Sequence, residues 1–199
     1  MAVEPIFFYD LASPYAYLAA LRVDEVLPVR PRWRPVVLAA LHRAHQRVPW
    51  SLREDEREPG QVAVSERGEG RGLPPMRWPP GWPAESYSVL PLRAALWALD
   101  ALGHDQGKAL TLALYEAEFR EGRALNDLDT VLEAATRCGV AEDELRAGVQ
   151  EESVKTALHS VTGEAVGMGV PGVPTVVVGE ALFWGDDRLE EAASALRAA

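Results

Sequence analysis

Ser13 and Pro14 stand at the end of an apolar, aromatic run, Ile6-Phe7-Phe8-Tyr9, and the turn Asp10-Leu11-Ala12. The run has the composition of a buried strand. Serine before proline is a strong helix start, because proline's fixed φ suits the first helical position and the serine hydroxyl accepts from a free amide. Ser13 is therefore predicted at a helix N-terminus, where outward-pointing amides and the helix dipole favour negative charge. An anion there, including a thiolate carried in by a ligand, would be stabilised beside the hydroxyl; the same residue serves equally as an ordinary cap. Other chemistry-bearing residues are sparse. Cys138 is the single cysteine, which excludes an intrachain disulfide, a C-x-x-C centre and a cysteine-based zinc site. It shares the apolar face of Leu128, Val131 and Ala135, and nothing near it in sequence would lower its pKa, so it is predicted to be a core thiol. His42 and His45 are spaced i, i+3 without a third ligand nearby, while His104 and His159 are isolated, so no metal site is expected. Residues Gly167 to Gly172 have G-x-G-x-x-G spacing, but they follow a helix pattern and precede a strand pattern, the reverse of a dinucleotide-binding turn.

The elements that must position Ser13 follow from hydrophobic periodicity. Residues 14–26 read as one helix, uncharged in its first half and broken by Pro28 and Pro31. Residues 32–38, Arg-Trp-Arg-Pro-Val-Val-Leu, alternate as a second strand, giving a β-α-β start whose crossover should be right-handed. From 39 to 167 no strand pattern occurs. Leu110, Ala113, Leu114 and Ala117, then Leu128, Val131, Leu132 and Ala135, then Val154, Ala157, Leu158, Val161 and Ala165, each recur on one helical face. The stretch 89–102 is nearly all apolar and is predicted as the central helix of this bundle. Residues 51–72 are highly charged, most simply a solvated helix face. Residues 73–83 carry five prolines with Trp78, Trp82 and Met76; this stiff segment suits either a wall of an apolar pocket or packing over the bundle. The chain then returns to strands at 174–178 and 181–184 around Gly179-Glu180, followed by a helix over 188–197 with Asp187 and Glu190 as a capping box. The order β-α-β, helical insertion, β-β-α predicts a four-stranded mixed sheet of thioredoxin type with helices on both faces.

Composition bounds the partners. The 199 residues, 48% of them hydrophobic, suffice to bury a full core in one domain with a sizeable insertion. A formal net charge of -10 argues against nucleic acid or an anionic membrane and for a small molecule or a protein. Glu4 and Asp10 interrupt the first apolar stretch and no basic segment precedes it, so no signal peptide is expected, no run approaches a membrane span, and the cytoplasm is the expected compartment.

Two motifs from opposite ends of the chain carry a resemblance. Phe8-Tyr9-Asp10-x-x-Ser13-Pro14-Tyr15-x-Tyr17-Leu18 and Gly172-Val173-Pro174-Thr175…Leu182-Phe183-Trp184-Gly185-x-Asp187-Arg188-Leu189 resemble the 2-hydroxychromene-2-carboxylate isomerases. These belong with the kappa-class glutathione transferases in the DsbA-like group of thioredoxin folds. The resemblance implies a thioredoxin-like domain from residues 1–38 and 168–199, with a helical insertion over 39–167. It also implies that Ser13 occupies the place where redox relatives keep their first cysteine, so that the thiol arrives with the ligand. Glutathione, or another low-molecular-weight thiol, is the implied cofactor, and Ser13 would donate a hydrogen bond to its thiolate. Val173-Pro174 resembles the family's cis-proline turn, with Val173 pairing to the tripeptide main chain. Gly185-Asp186-Asp187 matches the turn that receives the γ-glutamyl end, Asp187 accepting its ammonium, and Asp186 stands where relatives often carry a small polar residue. Where relatives have a Gly-Asn pair before a proline, this chain has His45-Gln46-Arg47-Val48-Pro49, with Arg47 the substitute carboxylate partner.

The implied reaction is cis–trans isomerisation of a ring-opened aromatic pyruvate, with no redox change. It needs an apolar slot, for which Tyr15, Tyr17, Trp78 and Trp82 are candidates, and a cation for the carboxylate, for which Arg77 or Arg47 is the candidate. A homodimer is also implied. The alternatives are a kappa-type glutathione transferase on the same site, or a thioredoxin-like binding protein without redox cysteines.

Overall fold

The structure, a computed structural model, describes residues 4–198. Strand β1 (Ile6–Tyr9) runs parallel to β2 (Arg32–Pro35) with Phe7 opposite Trp33, and antiparallel to β3 (Thr175–Val178) with Phe7 opposite Val176. Strand β4 (Ala181–Trp184) closes the edge, pairing Phe183 with Val176, in the sheet order β2-β1-β3-β4. β1 and β3 are central and, apart from Thr175, are apolar or aromatic throughout, because both their faces are covered. The predicted four-stranded mixed sheet and helical insertion are thus both present.

Between β1 and β2 lie α1 (Pro14–Ala20) and α2 (Val23–Val26), where one helix was predicted. The Arg22 amide bonds the Ala19 carbonyl at 3.0 Å, an i, i+3 step that ends the regular ladder. The turn buries Val23 completely and lets Arg22 pair with Glu190. The second strand is also shorter than predicted. Its last pairing residue is Pro35, the Val36 amide bonds Tyr9 O at 2.9 Å, and the Leu38 amide is then captured by the Asp10 carboxylate at 2.7 Å. Capture of that amide starts α3 (Leu38–Ala44) in place of continued strand.

A 3-10 turn (Trp50–Leu52) and α4 (Glu54–Glu69) follow α3, so the charged stretch is a regular helix despite Pro59. After the proline-rich segment come α5 (Val89–Ala101), α6 (His104–Phe119), α7 (Leu128–Arg137), α8 (Glu142–Gly148) and α9 (Glu152–Gly167). The apolar faces predicted for α6, α7 and α9 are largely buried, and α5 is the central helix, packing against α6, α7, α8, α9 and β2. Aromatic side chains join insertion to sheet: Tyr17 stacks between Tyr115 and Phe119, Tyr9 meets Tyr115, and the Tyr9 and Thr111 hydroxyls share a hydrogen bond of 3.1 Å. Helix α10 (Leu189–Ala198) packs on β3, β4 and α2. The predicted capping box is not formed there. The helix opens at Leu189, Glu190 turns to Arg22, and Asp187 is left outside the helix. No helix among the described residues is long and apolar enough to cross a membrane.

Candidate active site

Ser13 is the cap of α1, with extended backbone (φ -96°, ψ 113°), and its Oγ accepts from the Ala16 amide at 3.2 Å. That bond uses an oxygen lone pair and leaves the hydroxyl proton to be donated elsewhere. Ser13 is 5% exposed, and what it faces is a cavity of about 410 Å³, within the span of about 300–1,000 Å³ usual for small-molecule sites. α1 has seven residues where thirteen were expected, so it brings less helix dipole to Ser13 than the longer helix would.

Asp10, beneath this loop, ties two edges of the cavity together. Its carboxylate accepts from the Ala12 amide at 2.9 Å and from Leu38 at 2.7 Å, and both of those residues line the cavity. Burial pushes the Asp10 carboxyl up, and the Leu38, Ala12 and Ser88 donors offset only part of that. Opposite Ser13, the Val173-Pro174 peptide is cis, as expected from the resemblance, and Thr175 Oγ1 donates to Gly172 O at 2.7 Å. The Gly185 amide returns to Pro174 O at 2.9 Å, which brings the turn after β4 to the cavity. Gly185 has φ +129°, and a Cβ there would fall 2.4 Å from Asp187 Oδ1, so this turn requires glycine.

The two aspartates of that turn differ sharply. Asp186 is 1% exposed and held by two cations, Arg67 Nη1 at 2.6 Å and Arg71 Nη1 at 2.5 Å, whereas the Asp187 side chain is 61% exposed, 3.7 Å from Arg67. Asp187 is thus the carboxylate open to a ligand, while Asp186 is committed to α4 and the residues just after it. Arg47 lines the cavity with its guanidinium 4.7 Å over the Trp184 ring, and Trp184 lies against Gly172. Arg67 lies 5.3 Å over the Tyr15 ring, Trp50 meets Tyr15 edge-on at 6.4 Å, and Trp82 follows Trp50 at 5.6 Å. These side chains make an aromatic wall. Burial raises the Tyr15 phenol, Arg67 offsetting part of the effect, and burial lowers His42, to which the Arg47 charge adds.

Of the residues singled out in the sequence, Ser13, Tyr15, Arg47, Trp82, Val173, Pro174, Asp186 and Asp187 all line this one cavity. Three others do not. Tyr17 is a core residue stacked on Phe119, because its face of α1 turns toward α6. Trp78 lies behind Trp82 at 4.6 Å and edge-on to Phe119, supporting the wall without lining it. Arg77 borders a separate groove with Pro74, Pro75, Glu116 and Arg120, because its amide is pinned to Phe119 O at 2.8 Å.

His42, Trp50, Trp184 and Arg67 also line the cavity, although none was a candidate for it from the sequence: His42 was weighed only as a metal ligand and Trp184 only as part of the C-terminal motif. His42 lines the cavity, while His45 instead contacts Val170 O at 2.9 Å; among the described residues no group of three His, Cys, Asp or Glu is placed to hold a metal. Cys138 Sγ donates to Ala109 O at 3.4 Å, away from the cavity, and burial pushes its thiol up. Arg67 belongs to the stretch expected to be a solvated face. Yet Gly60, Val64, Arg67, Gly68 and Arg71 follow an i, i+4, i+7, i+8, i+11 spacing, and that stripe faces the protein: Gly60 under Trp50, Val64 buried, Gly68 against Leu18, and both arginines on Asp186. The spacing was available in the sequence; glycine and arginine disguised it.

The DSBA-like thioredoxin domain family matches residues 6–197. A 2-hydroxychromene-2-carboxylate isomerase of Sphingobium xenophagum is 25% identical over 188 residues, covering 92% of this chain and 93% of its own length. Among solved structures, a 2-hydroxychromene-2-carboxylate isomerase superposes with a TM-score of 0.84 at 20% identity, over 98% of this chain and 94% of that one. The cytosolic disulfide reductase DsbM of Pseudomonas aeruginosa, solved with GSH, superposes with a TM-score of 0.66 at 19% identity, over 98% and 96% of the two chains.

Proposed function

Since this chain belongs to the DSBA-like thioredoxin family, we propose that it is a glutathione-dependent cis–trans isomerase of the 2-hydroxychromene-2-carboxylate isomerase type, acting on a ring-opened aromatic pyruvate. The observation that carries this reading is the convergence of Ser13, Val173-Pro174 and Asp187 on a cavity that contains no cysteine of the protein's own. A thiol-exchange scaffold with serine at the helix cap can host a thiolate but cannot supply one.

The cavity's donor set fits glutathione. Asp187 offers an exposed carboxylate for an ammonium, Val173 contributes to the wall beside Ser13, and Arg47 presents a cation on the Trp184 side for a carboxylate. Ser13, having used a lone pair on the Ala16 amide, keeps its proton for a sulfur anion, and such a charge-assisted bond lowers the pKa of the thiol it serves. Asp10 holds the Ser13 loop and the start of α3 at fixed separation, so the hydroxyl is placed before any ligand enters. Tyr15, Trp50 and Trp82 exclude water from one side of the cavity and provide flat surface for a conjugated ring. Bound glutathione supplies the thiolate that adds reversibly to the conjugated double bond and so frees it to rotate. A reducing, cytoplasmic setting accords with this dependence on a free thiol.

Two measurements test the reading. Glutathione at 100 times its dissociation constant should stabilise the fold by about 2.7 kcal/mol. Ser13→Ala should keep most of that binding and raise the pKa of the bound thiol, followed by ultraviolet thiolate absorbance. No stabilisation by glutathione would refute the function, and an unchanged thiol pKa would remove Ser13 from it. Isomerisation of ring-opened chromene acids, followed by absorbance with and without glutathione, then separates isomerase from kappa-type transferase, which would consume the thiol.

A further inference from the structure

Arg67 reaches the cavity from α4, and its surroundings give it more to do than pair with Asp186. Asp186 has a second ion-pair partner in Arg71 Nη1, 2.5 Å from its Oδ2, while Arg67 Nη1 donates its hydrogen bond to Oδ1. Arg67 spends one nitrogen, Nη1, on Asp186. A guanidinium carries five N–H donors in a flat fork, and among the described residues no other Arg67 nitrogen makes a hydrogen bond. Its Cζ lies 5.3 Å over the Tyr15 ring, next to Trp50 and Trp82, where the aromatic wall meets the acidic turn. Arg47, the cavity's other arginine, lies on the Trp184 side, and Arg77 is in a different groove. The cation best placed at the aromatic wall is therefore Arg67.

We propose that Arg67 anchors the carboxylate of the second substrate, a planar conjugated acid seated against Tyr15, Trp50 and Trp82, and thereby sets a preference for anionic over neutral conjugated ketones. This rests on the isomerase reading above. A fork of parallel N–H donors matches a carboxylate, and the flanking ring favours a flat ligand lying alongside the guanidinium. A neutral compound of the same shape would meet the wall but leave the remaining guanidinium N–H donors unfilled.

The test uses a matched pair, benzylidenepyruvate and benzylideneacetone, which share ring and conjugated ketone and differ in the carboxylate. Binding is read by quenching of tryptophan fluorescence, with S-methylglutathione filling the thiol site so that no addition occurs, and glutathione affinity is measured separately by calorimetry. The wild type should prefer the acid at least tenfold. Arg67→Gln, which keeps an N–H for Asp186 and leaves the Arg71 ion pair in place, should reduce that preference to within threefold, a larger change than it makes in glutathione affinity, which its 3.7 Å approach to Asp187 also touches; Arg67→Lys, keeping charge without the fork, should fall between. An unchanged preference in Arg67→Gln, or a loss of glutathione affinity in place of the preference, overturns the assignment. Because the two titrations are independent, absence of glutathione binding in the wild type counts against the function reading, whereas normal glutathione binding without acid preference counts against Arg67 alone.

Discussion

Glu118 on α6 is 1% exposed, with one carboxylate oxygen accepting from the Leu125 amide at 3.2 Å. Burial pushes this carboxyl from an ordinary 4.5 up to about 7, with the Ser86 hydroxyl and the Leu125 amide offsetting only part of the cost. Between those two values the folded protein holds a proton that the unfolded chain has released, so stability falls as pH rises through that window. At about 1.4 kcal/mol for each pKa unit, the fall attributable to Glu118 is about 3 kcal/mol. Glu118→Gln mimics the protonated acid and keeps an acceptor for Leu125. The variant should match wild type at pH 4.5 and exceed it by about 3 kcal/mol near pH 8, read as the difference between urea-unfolding free energies followed by tryptophan fluorescence. The difference between the two proteins is what matters, because Asp10 moves in the same direction as Glu118 while His42, lowered by burial, moves oppositely. A difference that stays flat across this range would refute the buried-proton argument.

Gly60 faces Trp50 so closely that a Cβ would sit 2.2 Å from a ring carbon. Gly60→Ala should therefore lose on the order of 1 kcal/mol net, overpacking of about 1–3 outweighing a helix-propensity gain of about 1, and should displace Trp50 from the cavity wall. Gly163 in α9 has open space around it, so Gly163→Ala should gain about 0.5–1 kcal/mol in the same unfolding assay; if both alanines act alike, the Trp50 contact is not the cause. Asp10→Ala strips the acceptor from the Ala12 and Leu38 amides and should cost about 1–3 kcal/mol for each amide left unpaired, with glutathione affinity falling as the Ser13 loop loosens. Thermal unfolding within about 0.5 kcal/mol of wild type would show that those amides find other partners.

Much of this protein follows from local sequence alone. Ser13-Pro14 caps a helix because a hydroxyl and a fixed φ are local chemistry, and the apolar spacing of α6, α7 and α9 marks their buried faces whatever they bury against. The single cysteine excludes redox chemistry of the C-x-x-C kind without any structure at all. Tertiary structure decided the remainder, chiefly which polar groups face inward. Nothing local distinguishes Asp186, which is sealed against two arginines, from its neighbour Asp187, which stays open; the difference comes from α4, more than a hundred positions earlier in the chain. Likewise Arg77 and Arg67 look equally available in sequence, yet one amide contact with Phe119 carries Arg77 away while the Gly60–Arg71 stripe carries Arg67 in. Ser13 itself was local; the company it keeps was decided by Asp10, whose carboxylate reaches across to Leu38, ends β2 and starts α3. Backbone capping is settled within a few residues, whereas the partners of a charge are chosen by whichever distant element is packed beside it.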